Sequence, residues 1–188
     1  NHAEAWYKKG LIDFENKDYA KAIEDYNKAL IAKPDFAYAF NDRASAKLES
    51  GNNEAAIEDY KSAVKANPDM AFAHNNLGSA YRKAKKYDEA IASYTKAIDL
   101  KKDYYIAYNN RGSAKLEKLD FDGALADFSK AISLKADYAY AFNNRSSANY
   151  KKKNYQLAVS DADKAIALNP SYGEAYLNRG IAKEMAKD

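Results

Sequence analysis

The chain repeats itself every 34 residues. An aromatic residue or a histidine recurs at Trp6, Phe40, His74, Tyr108, Phe142 and Tyr176. A small residue follows four positions later, at Gly10, Ala44, Gly78, Gly112, Ser146 and Gly180. A period of this length is typical of stacked supersecondary units rather than of one globular core. It therefore predicts an elongated array, and such arrays usually present a concave surface that suits another protein.

Each unit carries the pattern of two amphipathic helices separated by a short break, because its apolar residues recur twice at spacings of three and four. In that break, side chains able to cap the second helix stand at Asp18, Asn52, Asp120 and Asn154. A second break closes each unit, with proline at Pro34, Pro68 and Pro170. We expect the next helix to be capped by the residue in the series Asp35, Asp69, Asp103, Asp137 and Ser171.

Rows of small residues predict where helices approach closely. One is the row that begins at Gly10, and the next follows at Ala22, Ala56, Ala90, Ala124 and Ala158. Large residues at Tyr26, Tyr60, Tyr94 and Phe128 are expected to fill the space between them. Ala162 breaks this last row, which predicts looser packing in the fifth unit.

The chain resembles the tetratricopeptide repeat in its period and in Trp6, Gly10, Tyr19, Ala22, Tyr26, Ala29 and Pro34. In that register the units are residues 3–36, 37–70, 71–104, 105–138 and 139–172, followed by an unpaired first helix over 173–187. The family's usual turn glycine survives only at Gly51. The resemblance implies an all-α fold, a right-handed α-solenoid superhelix of antiparallel helix pairs over residues 1–188, with the first helices on the inner face.

The resemblance also implies which repeat positions face the inner groove, counting each unit from its first residue. Position 2 gives Tyr38, Phe72, Ile106 and Tyr140. Position 5 gives Asn41, Asn75, Asn109 and Asn143. Position 6 gives Asp42, Asn76, Asn110, Asn144 and Asn178.

Paired asparagines in successive repeats are the strongest functional signal. Asparagine is unfavourable inside a helix, because its side chain competes with the backbone, whereas its amide offers both donors and an acceptor. A ladder of such amides is able to hold the main chain of an extended peptide, with the position 2 side chains beside it. It resembles the asparagine ladder of the O-linked N-acetylglucosamine transferase repeats. The alternative is that the amides bridge neighbouring helices or are merely solvated.

One known groove type does not fit. Carboxylate-clamp repeats, which hold chaperone C-termini, carry basic residues at position 5 and nearby. Position 5 is here occupied by Tyr7, Asn41, Asn75, Asn109 and Asn143. We therefore do not expect clamp specificity.

Arginine stands at position 7 and aspartate at position 23 of the same repeats. The third repeat lacks both and has Leu77 and Ser93 instead. Joint loss within one repeat predicts structural ion pairs inside repeats, namely Arg43–Asp59, Arg111–Asp127 and Arg145–Asp161.

Composition argues against several other classes of function. The chain has Lys+Arg 30 against Asp+Glu 27, a net charge of only +3 that gives no case for nucleic acid. It has no cysteine, no nucleophile motif and no phosphate-binding loop, and His74 is expected to pack in the core. We therefore expect no catalysis, no cofactor, no metal and no membrane insertion, and the compartment stays open.

Three alternatives remain beside a peptide-binding scaffold. The chain begins and ends inside the repeat pattern, so we expect a fragment of a longer protein, which allows a substrate-recruiting region of an enzyme. The end helix 173–187 would expose Tyr176, Ile181 and Met185, which allows self-association. A related repeat class reads single-stranded RNA, but its repeat is about one residue longer than the 34 found here.

Overall fold

The computed structural model describes residues 2–186, and all regular secondary structure within that range is α-helical. Eleven helices occur there: α1 (His2–Glu15), α2 (Tyr19–Ala32), α3 (Ala37–Glu49), α4 (Asn53–Ala66), α5 (Ala71–Lys83), α6 (Tyr87–Leu100), α7 (Tyr105–Glu117), α8 (Phe121–Leu134), α9 (Ala139–Lys151), α10 (Tyr155–Leu168) and α11 (Gly173–Met185). Helix α11 ends before the predicted boundary, and Lys187 lies outside the described residues.

The chain divides into two compact units, residues 1–100 and residues 101–188. In the first unit α1 pairs with α2, α3 with α4 and α5 with α6, and α2 and α4 also contact α3 and α5 respectively. The second unit repeats this arrangement with α7 and α8, then α9 and α10, and α11 packs on α10 and α9. The predicted fold class, an all-α solenoid of helix pairs, is confirmed. A single array over residues 1–188 stays a prediction.

The small-residue rows receive large side chains from the facing helix. A Cβ added at Gly10 would lie 2.6 Å from the ring of Tyr26, and one at Gly78 would lie 2.7 Å from that of Tyr94. In the fifth repeat, where Ala162 replaces the ring, a serine replaces the glycine. Ser146 is buried and its hydroxyl donates to the Ala158 carbonyl at 2.7 Å. Its side chain takes part of the space that a ring occupies elsewhere.

The turn between the two helices of a repeat keeps a left-handed residue whether or not glycine is there. Positive φ values occur at Gly51 (83°) and, at the same repeat position, at Lys17, Lys85, Leu119 and Lys153 (59° to 65°). Loss of the family glycine therefore leaves the turn conformation unchanged. It forces ordinary residues into a region that costs roughly 1 to 2 kcal/mol.

The predicted helix caps are right for three second helices and wrong elsewhere. Asp18, Asn52 and Asp120 accept hydrogen bonds from the backbone N–H three residues on, at 3.3, 3.4 and 3.0 Å. Asn154 makes no such bond, and its amide points to Asn149 at 3.5 Å instead.

The first helices are not capped by the predicted aspartates and serine. Each begins one residue later, so that the N-cap is Phe36, Met70, Tyr104, Tyr138 or Tyr172, without a side-chain cap bond. These residues pack rather than cap. The Phe36 ring lies 4.8 Å from that of Tyr7, and Met70 is buried.

Candidate peptide-binding site

The two asparagines of each pair have different environments. At position 5 the side chains of Asn41, Asn75, Asn109 and Asn143 are buried, none with more than 6% of its surface exposed. At position 6 the side chains of Asn76, Asn110, Asn144 and Asn178 are only half-buried. The predicted ladder therefore consists of an inner row and an outer row.

The inner row is used to join successive repeats. In the first unit the Asn76 Nδ2 donates to the Asn41 Oδ1 at 3.1 Å. In the second unit Asn144 donates to Asn109 at 3.0 Å, and Asn178 donates to Asn143 at 2.9 Å. Each bond ties a first helix to the first helix of the preceding repeat. The position-5 asparagines therefore bridge neighbouring helices, which is the alternative to peptide binding that the sequence left open.

The outer row, defined here as the position-6 row, keeps spare hydrogen-bonding capacity. The Oδ1 atoms of Asn144 and Asn178 accept no hydrogen bond from residues 2–186, yet neither is among the buried unsatisfied atoms. They are therefore accessible to solvent. The Asn178 amide also has a second N–H beyond the one it donates to Asn143, whereas the Asn144 amide also donates to Ser113 Oγ at 3.5 Å.

The position-6 row has one carboxylate, Asp42. Its neighbour at position 5 of the first repeat is Tyr7 rather than asparagine, and the Tyr7 hydroxyl donates to Asp42 Oδ2 at 2.6 Å. The Asn41 Nδ2 donates to Asp42 Oδ1 at 2.8 Å. Burial raises the pKa of Asp42, because these two hydrogen bonds offset only part of the lost solvation.

The position 2 side chains flank these rows. Tyr38 and Tyr140 are 48% and 52% exposed, whereas Phe72 and Ile106 are half-buried. The ring of Tyr38 lies 5.8 Å from that of Phe72 in the first unit. In the second unit Tyr140 lies 5.7 Å from Tyr138 and 5.1 Å from Tyr172. Exposed aromatic surface therefore accompanies the polar atoms in both units.

The arginines at position 7 bind the aspartates at position 23 of their own repeats. Bidentate hydrogen bonds join Arg43 to Asp59 (2.7 and 2.6 Å), Arg111 to Asp127 (2.9 and 2.7 Å) and Arg145 to Asp161 (2.9 and 2.7 Å). All three aspartates are buried. Ionised groups in such positions are stable only with a paired charge, so we assign these residues a structural role.

Sequence reasoning missed two further partners in these clusters. A lysine at position 11 adds a second cation, with Lys47 at 2.6 Å from Asp59 and Lys115 at 2.8 Å from Asp127. The signal was present, because the third repeat, which lacks the ion pair, has Tyr81 at that position. The arginine also reaches the preceding repeat, where Arg43 donates to Asn27 at 2.5 Å and Arg145 to Ser129 at 3.1 Å.

Other classes of site find no support in residues 2–186. No three His, Cys, Asp or Glu side chains there are grouped as metal ligands. The imidazole of His74 lies 2.9 Å from the Pro68 carbonyl, which is a local contact at a repeat boundary. No described helix has the length and apolar character that crossing a bilayer requires.

Solved structures share this architecture. The crystal structure of MamA protein is 25% identical, with a TM-score of 0.79 over 90% of this chain and 92% of that one. The first TPR of Spaghetti (RPAP3), bound to the HSP90 peptide SRMEEVD, is 28% identical, with a TM-score of 0.61 over 63% of this chain and 94% of that one. YrrB, a TPR protein with an unusual peptide-binding site, is 20% identical, with a TM-score of 0.76 over 93% and 90%, and so shows the fold alone.

Family models match most of the sequence. Among curated proteins none matches the chain. One model for the tetratricopeptide repeat matches residues 41–105 and 109–173, and a second matches residues 3–36. The matched segments contain most of the paired helices and small-residue rows, and all of the asparagines described above except Asn178. The chain belongs to the tetratricopeptide repeat family.

Proposed function

We propose that this protein is an interaction scaffold in which a unit binds an extended peptide segment along its own part of the position-6 row. The observation that carries the proposal is the set of solvent-accessible, unpartnered Oδ1 atoms at Asn144 and Asn178. Each of these Oδ1 atoms is able to accept from a peptide N–H, and the second N–H of Asn178 is able to donate to a peptide C=O. Such pairing uses the main chain of the ligand and demands no particular sequence.

The position 2 side chains add apolar contact. Half-exposed tyrosines beside a polar row provide rings for side-chain contact and hydroxyl groups for hydrogen bonds. Ordering a flexible peptide opposes binding, so we expect modest affinity. The RPAP3 repeat that holds SRMEEVD supports the general mode, in which a repeat groove holds a short peptide. It does not support the same specificity, because position 5 of this chain carries no basic residue.

The experiment is a display selection with peptides from disordered protein regions. The test variant changes Asn76, Asn110 and Asn144 to alanine, which removes these position-6 amides together with the hydrogen bonds that Asn76 and Asn144 donate to the inner row. The control changes Asn16, Gln156 and Ser160, three exposed polar residues outside the predicted groove positions, to alanine. Both variants are first matched to the wild type in helicity and melting temperature. Peptides retained by the control and lost by the test variant support the proposal, and equal capture by all three proteins contradicts it.

Self-association is a second candidate, favoured by the surface of α11. Leu177, Tyr176, Ile181 and Met185 are 62%, 43%, 39% and 37% exposed. Apolar side chains grouped on one helix mark an interaction site more often than scattered ones do. If α11 joins two copies, light scattering should show a mass that rises with concentration, and Leu177→Lys should abolish the rise. A concentration-independent monomer mass would exclude it.

A further inference from the structure

Asp42 is a half-buried carboxylate of the first unit that has no counter-ion. The buried Asp25 is held by Lys9 and by Lys28, the latter at 2.9 Å, and the buried Asp59 is held by Arg43 and Lys47. Within residues 2–186 no cation lies in ion-pair contact with Asp42, whose hydrogen-bond donors, Tyr7 and Asn41, are both neutral.

The wider surroundings of Asp42 supply no positive charge either. Tyr7 on α1, Tyr26 on α2 and Tyr60 on α4 are the titratable groups that interact with the carboxylate, and burial raises the pKa of each. All three hydroxyls are therefore neutral at physiological pH. On α5, the Asn76 amide is directed to Asn41. Lys8, the residue at position 6 of the first repeat, is exposed and lies outside ion-pair contact.

The structural role of this residue does not require a charge. Tyr7 and Asn41 each bond one oxygen of Asp42. An asparagine would keep both partners, because its Oδ1 accepts from the Asn41 amide and its Nδ2 donates to the Tyr7 hydroxyl oxygen. Asparagine occupies this position in the next four repeats. A half-buried carboxylate costs more to desolvate than an amide does. The negative charge at Asp42 therefore exceeds what the fold needs.

The carboxylate adjoins exposed aromatic surface on the same helix. Tyr38 precedes Asp42 by four residues in α3, so the two side chains lie on one face, one turn apart. Tyr38 is half exposed and its ring packs beside that of Phe72. A lysine or arginine has an apolar stem that covers aromatic rings and a cationic head that pairs with a carboxylate.

We propose that Asp42 recognises one cationic side chain, lysine or arginine, of the segment bound along the position-6 row of the first unit. This inference rests on the proposed function and adds to it a fixed point in the ligand. The amides pair with any main chain, whereas Asp42 sets the register of the ligand by its charge. It also disfavours segments that place an acidic side chain at the point that meets Asp42.

The test is a selection from a random twelve-residue peptide library on the wild type and on Asp42→Asn in parallel. The matched control is Asp35→Asn, which removes the same charge from an exposed residue before α3. The selected wild-type peptides should share one lysine or arginine at a fixed position. That preference should persist with Asp35→Asn and vanish with Asp42→Asn.

A resynthesised peptide then measures the contact directly. Replacing its shared basic residue with glutamine should weaken binding to the wild type roughly 10- to 100-fold, the range for a hydrogen bond to a charged group. The same replacement should change binding to Asp42→Asn by less than about threefold. Should Asp42→Asn not fold, the peptide pair on the wild type decides, with the carboxyl carbon resonance of Asp42 as the local probe.

The outcomes separate this inference from the proposed function. Enriched peptides without a shared basic position, or an identical preference in Asp42→Asn, overturn the role of Asp42 and leave the scaffold in place. A wild-type selection that enriches no peptide overturns the proposed function, and the inference with it.

Discussion

Tyr7 and Asp42 form the same bridge between repeats as Asn41 and Asn76, with the hydrogen bond running in the opposite direction. The Tyr7 hydroxyl donates to the Asp42 carboxylate at 2.6 Å, whereas Asn41 accepts from the Asn76 amide at 3.1 Å. A donor at position 5 is thus matched by an acceptor at position 6 of the next repeat. The exchange preserves the bridge and leaves a negative charge at the first step of the row.

Asp42→Asn should stabilise the protein at pH 7 by about 1 kcal/mol, because the variant removes the desolvation cost of an ion while keeping a hydrogen-bond partner for Tyr7 and for Asn41. The folded-state pKa of Asp42 is raised by burial above its unfolded value. Stability from this group is therefore fully present below the unfolded pKa, near about 3.9, and is lost as pH rises through the folded pKa.

The difference between the two proteins should then vanish near pH 3. It is measured by urea unfolding at several pH values, with Asp35→Asn as the charge control. The shared acid sensitivity of both proteins has another source. Burial alone would raise the pKa of Asp25, but hydrogen bonds from Lys9 and Lys28 have the larger combined effect and hold that pKa below its usual range. A gain that is the same at pH 3 and pH 7 would contradict the assignment.

Tyr26→Phe should leave stability unchanged or raise it, whereas Tyr60→Phe should cost about 1 kcal/mol. Both rings are buried, but the Tyr26 hydroxyl has no hydrogen-bond partner within residues 2–186. The Tyr60 hydroxyl lies 2.9 Å from Ser45 Oγ. Removing a buried unsatisfied group is favourable, while removing one member of a pair strands the other. Equilibrium urea unfolding of both variants decides, and the opposite ranking would refute the argument.

Gly78→Ala and Gly180→Ala make the same substitution at the same repeat position and together test the small-residue row. A Cβ at Gly78 would lie 2.7 Å from the Tyr94 ring, whereas one at Gly180 would meet nothing within 4 Å. Alanine favours a helix over glycine by about 1 kcal/mol, but overpacking costs about 1 to 3 kcal/mol. Thermal unfolding should therefore show a lower melting temperature for Gly78→Ala and an equal or higher one for Gly180→Ala. Equal effects would mean that the Tyr94 ring moves away freely.

Leu119→Gly and Gly51→Ala should shift stability in opposite directions. Both residues occupy the left-handed turn, with φ of 65° and 83°. Leu119 is 72% exposed, so its side chain contributes little packing. Glycine relieves strain of roughly 1 to 2 kcal/mol there, partly offset by its greater freedom in the unfolded chain. We expect a gain of about 0.5 to 1 kcal/mol for Leu119→Gly and a loss of that size for Gly51→Ala, both from urea midpoints.

The sequence predicts the helices well because their information is local and is repeated. The helical spacing of apolar residues and their recurrence 34 residues later can both be recognised in the sequence without knowledge of the three-dimensional structure. The turn at Leu119 shows the limit. Sequence reasoning weighs glycine against leucine at one position, whereas the packing of the two flanking helices fixes the backbone whatever residue stands there.

The two asparagine rows mark the same limit at the candidate site. Asn75 and Asn76 are adjacent and identical in type, so the sequence assigns both to the groove. The Asn75 side chain is buried and that of Asn76 is half-buried, because α5 lies against α3 of the previous repeat. The Tyr7–Asp42 exchange could be predicted from the sequence, since each residue replaces an asparagine in its own row and the two lie one repeat apart. The first-helix caps failed because Phe36 and its equivalents are held by packing, which propensity alone does not express.

The ion pair of the second repeat should be costly to break from one side. Asp59 accepts two hydrogen bonds from Arg43 and lies 2.6 Å from Lys47, with 8% of its side chain exposed. Asp59→Ala should lower the free energy of unfolding by roughly 3 kcal/mol, because it leaves Arg43 and Lys47 partly buried without their counter-charge. The third repeat offers the matched rescue, since Leu77 and Ser93 stand there and Leu77 is buried in the core.

The double variant Arg43→Leu with Asp59→Ser reproduces that pair in the second repeat. It should recover most of the stability lost in Asp59→Ala, because it removes the buried guanidinium together with its counter-charge. The remaining cation, Lys47, has 21% of its side chain exposed and is able to turn its amine to solvent. Urea unfolding of the wild type and of both variants measures the recovery. A double variant as unstable as Asp59→Ala would show that the second repeat requires the ion pair itself and that the third repeat is stabilised by other contacts.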